Sequence, residues 1–117
     1  MPAATACGFP RAIRLLTGSE YQRVFADAVR IRGRNLTLLY RARAVEGPAR
    51  LGLAIGKRQV RRAVDRNRIK RIVREAFRQR RSSLPAVDLV VLARSGAATC
   101  DRRLLRSEIE SFLDRLP

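Results

Sequence analysis

The chain has 117 residues, 46% of them hydrophobic and 5% aromatic, with 26 basic residues, 10 acidic ones and no histidine, for a formal net charge of +16. That length suits a single domain, 1–117, with one modest and mostly aliphatic core. Two isolated cysteines, Cys7 and Cys100, exclude a four-ligand zinc site and are expected as reduced thiols in a cytoplasmic protein, while the absence of an 18-residue apolar run or a signal pattern argues against a membrane span or export.

Residues 1–16 read as an irregular basic arm, with Phe9 and Leu15-Leu16 available to tuck in. Thr17-Gly18-Ser19-Glu20 has the form of a capping box, and Tyr21, Val24, Phe25 and Ala28 follow at helical spacing. A short helix to about Val29 is therefore expected, then a basic turn over Arg30–Arg34 around Gly33. Leu36–Arg41 reads as a strand, and Glu46-Gly47-Pro48 as a turn. Arg50–Gly56 alternates bulky Leu51, Leu53 and Ile55 with Gly52, Ala54 and Gly56. That pattern predicts a strand with one open face, paired as a meander with the strand before it. The open face admits a packed helix or the backbone of a ligand.

Residues 57–81 hold 12 of the 26 basic residues and two acids, Asp65 and Glu75. At about 100° per residue from Arg66, the residues Ile69, Ile72, Val73, Ala76 and Phe77 share one stripe. Asn67, Lys70, Arg71, Arg74, Arg78 and Arg81 share the opposite face. An apolar floor under a cationic roof with almost no acids is costly unless something binds the roof, and a polyanion fits it. Val60, Ala63 and Val64 fall off the stripe, so the helix starts late or its first turn packs elsewhere. Pro85 ends the element. The continuous apolar run Asp88–Arg94 suits a strand buried on both faces, Ser95-Gly96 a turn, and Asp101 the cap of a last helix with the stripe Leu105, Ile109, Phe112, Leu113, Leu116. A lone strand after a long helix implies a crossover and some parallel pairing.

Catalytic chemistry within the chain is poorly supported. General acid–base work wants histidine or a carboxylate pair in a pocket, and Asp65 and Glu75 lie ten residues apart on different sides of the helix. Neither cysteine has a partnered base nearby in sequence. No catalytic residue and no metal ligand is assigned. A helix-turn-helix DNA binder would need a short helix before the basic one, where the sequence alternates like a strand.

The segment Arg66-Asn67-Arg68-Ile69-Lys70-Arg71, with Lys57-Arg58 and Ala63-Val64 before it and Arg74-Glu75-Ala76-Phe77-Arg78 after it, resembles the signature of the bacterial ribonuclease P protein subunit family. Phe9-Pro10-Arg11, Arg14-Leu15-Leu16-Thr17, the aromatic pair Tyr21 and Phe25, and the strands Arg50–Lys57 and Asp88–Arg94 are similar to its proteobacterial members. Tyr21 departs from the commoner phenylalanine, Ala28 from a frequent glycine and Gly56 from a small polar residue.

The resemblance implies an α+β fold, a two-layer α/β sandwich in the order α-β-β-β-α-β-α, with a mixed sheet and a left-handed βαβ crossover. It implies a protein that binds a catalytic RNA, one protein per RNA, and the 5′ leader of precursor tRNA. Arg66, Asn67, Arg68, Lys70, Arg71 and Arg74 would contact the catalytic RNA. Tyr21 and Phe25 would wall a leader cleft between the first helix and the sheet, where single-stranded bases stack without sequence readout. Tyr40 is a candidate for the same surface, and Arg58 for phosphates near the cleavage point. Hydrolysis would fall to Mg²⁺ held mainly by the RNA. A ribosomal-type RNA-binding protein shares the size and charge and stands as the alternative.

Overall fold

A computed structural model describes residues 18–43 and 47–116; the basic arm, Phe9-Pro10-Arg11, Cys7, Thr17 and Glu46 lie outside the described residues. The elements are α1 (Gly18–Ala26), β1 (Val29–Arg32), β2 (Leu36–Ala42), β3 (Arg50–Ala54), α2 (Ala63–Arg80), β4 (Val87–Ala93) and α3 (Arg102–Asp114), with 3₁₀ turns at Arg81–Ser83 and Ser95–Thr99. The four strands form one sheet in the order β1-β2-β4-β3. β4 runs antiparallel to β2 and parallel to β3, so β3, α2 and β4 make a βαβ unit of neighbouring strands.

The strand order differs from the expected meander. β2 and β3 are not neighbours, because β4 lies between them. β4 pairs along both its edges, antiparallel with Leu36–Ala42 and parallel with Arg50–Ala54, and its run Val87–Val91 is buried. The other difference lies at Val29–Arg32, which is a strand rather than a helix end and a turn. Ile31 is buried opposite Leu38, and alternation carries Arg30 and Arg32 to the other side. α1 stops at Ala26, and Asp27 pairs with Arg41 across 3.5 Å. β3 ends two residues before Gly56, at Ala54.

Alternation along each strand sorts the residues into two cores. Ile31, Leu36, Leu38, Leu51, Leu89 and Val91 face α2 and α3, where they meet Ile69, Ile72, Val73, Ala76, Phe77, Leu105, Ile109, Phe112 and Leu113. This is the main sandwich. Leu39 and Val90 point the other way and pack with Val24 of α1, flanked by Tyr21, Ala28, Ala54 and Leu92. Tyr40 alternates with Leu39 and packs against the main core, so it does not join the surface under α1. The one charge buried within β4 is Asp88, 4% exposed. Its register partner Arg50 grips both its oxygens at 2.9 and 3.0 Å, and Arg43 approaches to 3.4 Å, which offsets the cost of burying a carboxylate.

Both later helices start as their sequences direct. Asp101 accepts from the Arg103 N–H at 3.1 Å and caps α3. α2 starts late, at Ala63, and its N-cap Arg62 offers no side-chain bond. Val60 is fully buried in the main core while Val64 is 59% exposed, so the residues off the stripe divide between core and solvent.

Ile69→Ala should cost roughly 2–5 kcal/mol in urea or thermal unfolding, through a cavity beneath α2. Val64→Ala should stay within about 0.5 kcal/mol. The reverse ranking would mean that α2 sits rotated on the sheet.

Candidate RNA interface

The apolar stripe of α2 is turned down by the core, which turns its cations up. Asn67, Arg71, Arg74, Arg78 and Arg81 are exposed and Lys70 is half-exposed. None of the six makes an ion pair or side-chain hydrogen bond among the described residues. Glu75 faces α3 instead, 3.9 Å from Arg106. The face is therefore an uncompensated row of donors, with guanidiniums suited to bidentate phosphate contact.

Two arginines of the sequence signature are tied down. Arg66 folds back on the chain that enters α2, donating to the carbonyls of Val60 at 3.0 Å and Arg61 at 2.7 Å. Those bonds stand in for the missing N-cap side chain by fixing the approach to the helix. Arg68 is half-buried and donates to the carbonyls of Cys100 at 3.0 Å and Ala98 at 3.4 Å, holding the segment that leads into α3. Each guanidinium has five donors, so some remain for a ligand. Asn67, Lys70, Arg71 and Arg74 thus form an open row, flanked by two arginines with structural duties that no local pattern announces.

The opposite face of the sheet carries the second set. α1 lies across β2 and β4, with Val24 fully buried on Leu39 and Val90. Tyr21 is half-buried over β3, and its hydroxyl accepts the Leu53 N–H at 3.2 Å. Gly52 makes room for it, since a Cβ there would stand 2.7 Å from the ring. Phe25, one turn on, is 48% exposed. The two aromatics therefore divide the work: Tyr21 anchors the helix to the strand edge, and Phe25 presents an open ring. Arg30 and Arg32 are exposed on β1 in register with Leu39 and Thr37, so they edge this same face in positive charge. Arg58 is exposed in the turn between β3 and α2 and makes no ion pair among the described residues.

A third cluster escaped the sequence reading. Glu108 of α3 accepts from the backbone N–H groups of Asn35 at 3.0 Å and Leu36 at 2.7 Å, stapling α3 to the β1–β2 turn. Gly33 lets α3 approach there, because a side chain would collide with Glu108 and Phe112. Among the described residues no group of three or more His, Cys, Asp or Glu could hold a metal ion, and no helix is long and apolar enough to cross a membrane. Cys100 is a free thiol, 3.2 Å from the Asn35 amide.

Arg71→Ala should weaken binding to structured RNA with the melting temperature unchanged. Arg68→Ala should lower both, losing about 1 kcal/mol of stability with its carbonyl bonds. Parallel melts and RNA titrations separate the two; identical profiles would contradict the division between open and anchored arginines.

Residues 9–117 match the family model described as Ribonuclease P. A ribonuclease P protein component from Chromohalobacter salexigens is 48% identical over 110 residues, covering 93% of this chain and 85% of that protein. One from Thioalkalivibrio sulfidiphilus is 48% identical over 109 residues, covering 93% and 90%. The solved RNase P protein of Staphylococcus aureus superposes with a TM-score of 0.81 at 27% identity, over 89% of this chain and 94% of that one. With the family model, the sequence relatives and the superposed fold in agreement, the chain belongs to the ribonuclease P protein family.

Proposed function

We propose that the α2 face binds the catalytic RNA of ribonuclease P, and that the face bearing α1 receives the 5′ leader of precursor tRNA as the leader is removed. The observation that carries this reading is the pairing of two unlike surfaces on opposite sides of one sheet. One is a row of cations along a single helix that make no ion pair among the described residues. The other is a shallow, arginine-edged floor with an exposed phenylalanine. A helix lined with guanidiniums suits a folded RNA scaffold, where phosphates come at fixed spacing. An exposed ring suits a single strand of variable sequence, since every base has a face to stack. A purely structural RNA-binding protein has no use for the second surface.

In this reading the protein contributes charge and position, as one copy per RNA in the cytoplasm. The chain has no histidine, and its described carboxylates are paired, capping or scattered. Among the described residues no cluster of carboxylates gathers to hold Mg²⁺, and in this reading the RNA would hold the metal and carry the hydrolysis. The arginines would screen the repulsion between two polyanions that must lie side by side.

Phe25→Ala should lower holoenzyme affinity for precursor tRNA more than for mature tRNA, by about 1–3 kcal/mol per lost stacked base. Equal losses for both ligands would return Phe25 to a structural role. Titrating Mg²⁺ with and without the protein gives the second test. The protein should shift the cleavage midpoint to lower Mg²⁺ and lower the apparent KM, while RNA-free protein should cut nothing. An unmoved midpoint, or cleavage by the protein alone, would refute the proposal.

A further inference from the structure

The outer flank of α3 carries charge that neither surface above uses. Its acids are all occupied. Asp101 caps the helix, Glu110 holds Arg106 at 2.9 Å, Asp114 holds Arg80, and Glu108 is turned inward onto the β1–β2 turn. Two arginines near the ends of this flank make no such pair among the described residues. Arg34 in the turn and Arg115 at the end of α3 are exposed, and neither makes an ion pair among the described residues. Between them lies an open groove of about 400 Å³, lined also by Arg32, Ser107, Ser111 and Leu104.

The lining chemistry is specific. Three guanidiniums and two hydroxyls surround a hollow whose single acid is already satisfied by three N–H donors, from Asn35 and Leu36. Leu104 is 60% exposed, an apolar rest beside the cations. Phosphates match the cations, a ribose or base can rest on Leu104, and the continuity of the groove with the α1 face favours RNA over an acidic peptide. Continuity supports the same ligand. Arg32 lines the groove and also stands in register with Thr37 on the sheet face that carries α1. A positive track therefore runs from that face, around the β1 edge, to α3.

We propose that this groove is a second RNA-binding surface, separate from the α2 face, which takes the phosphodiester backbone of RNA passing around the β1 edge. The proposal rests on the RNA-binding reading above. Its backbone has two possible sources, the catalytic RNA and the upstream part of a long leader, and they are experimentally separable.

The test is the double variant Arg34→Ala/Arg115→Ala, reconstituted into the holoenzyme. Salt dependence is read for catalytic RNA alone and for precursor tRNAs with short and long leaders. Two lost contacts should flatten the slope of log affinity against log salt by about 1.4 for single-stranded RNA or about 1.8 for a helix. A change with catalytic RNA alone assigns the groove to that RNA, and a change confined to long leaders assigns it to the leader. Arg34→Lys/Arg115→Lys should keep most of the slope, and the melting temperature should not move. Unchanged slopes for every RNA overturn the proposal, as does loss of polyglutamate binding with RNA binding intact, which would point to an acidic protein partner. The control Arg71→Ala/Arg74→Ala tests the α2 face alone, so its failure and that of the groove are read apart.

Discussion

β4 carries apolar side chains on both faces, so both faces of the sheet must be covered. This two-sided burial goes with an interior place in the sheet, between β2 and β3. It requires the long helix to lie on one face with its apolar stripe down, and it leaves the other face for α1. The cationic roof of α2 is the complement of that packing: once Ile69, Val73 and Phe77 are buried, Arg71, Arg74 and Arg78 have only solvent or a ligand to face. The two candidate surfaces owe their separation to the thickness of one sheet.

Electrostatics follows a related division. The acids are few, and most described ones are spent within the fold. Asp88 is buried between Arg50 and Arg43, Glu108 closes the β1–β2 turn, and Glu75, Glu110 and Asp114 hold arginines of α2 and α3. The arginines left over are therefore concentrated on the outside. A chain at +16 repels itself, and a polyanion bound to it would relieve the repulsion and stabilise the folded state by mass action.

Much of this was legible in the sequence where contrast was strong and local. The α2 stripe, the doubly buried β4 and the Asp101-capped α3 each follow from spacing alone, and the likeness around Arg66-Asn67-Arg68 supplied the element order. What periodicity missed is non-local or short. Val29–Arg32 alternates over only four residues, too few to outweigh the basic turn that its arginines and Gly33 suggest. Placing β4 between β2 and β3 depends on pairing across dozens of residues, and the same uncertainty left the side of Tyr40 open. The second duty of Arg68 lies thirty and more residues away, at Ala98 and Cys100, and the staple made by Glu108 lies over seventy residues away, at Asn35 and Leu36.

The hydroxyl of Tyr21 has a further effect. β3 is an outer strand, and such a strand offers free N–H groups to any other strand that comes alongside. Tyr21 occupies one of them, at Leu53, and lays its ring over Gly52, where β3 has no side chain of its own. A phenylalanine would cover the glycine and leave the donor open. The extra oxygen thus occupies a donor at Leu53 that a second strand would need in order to pair there.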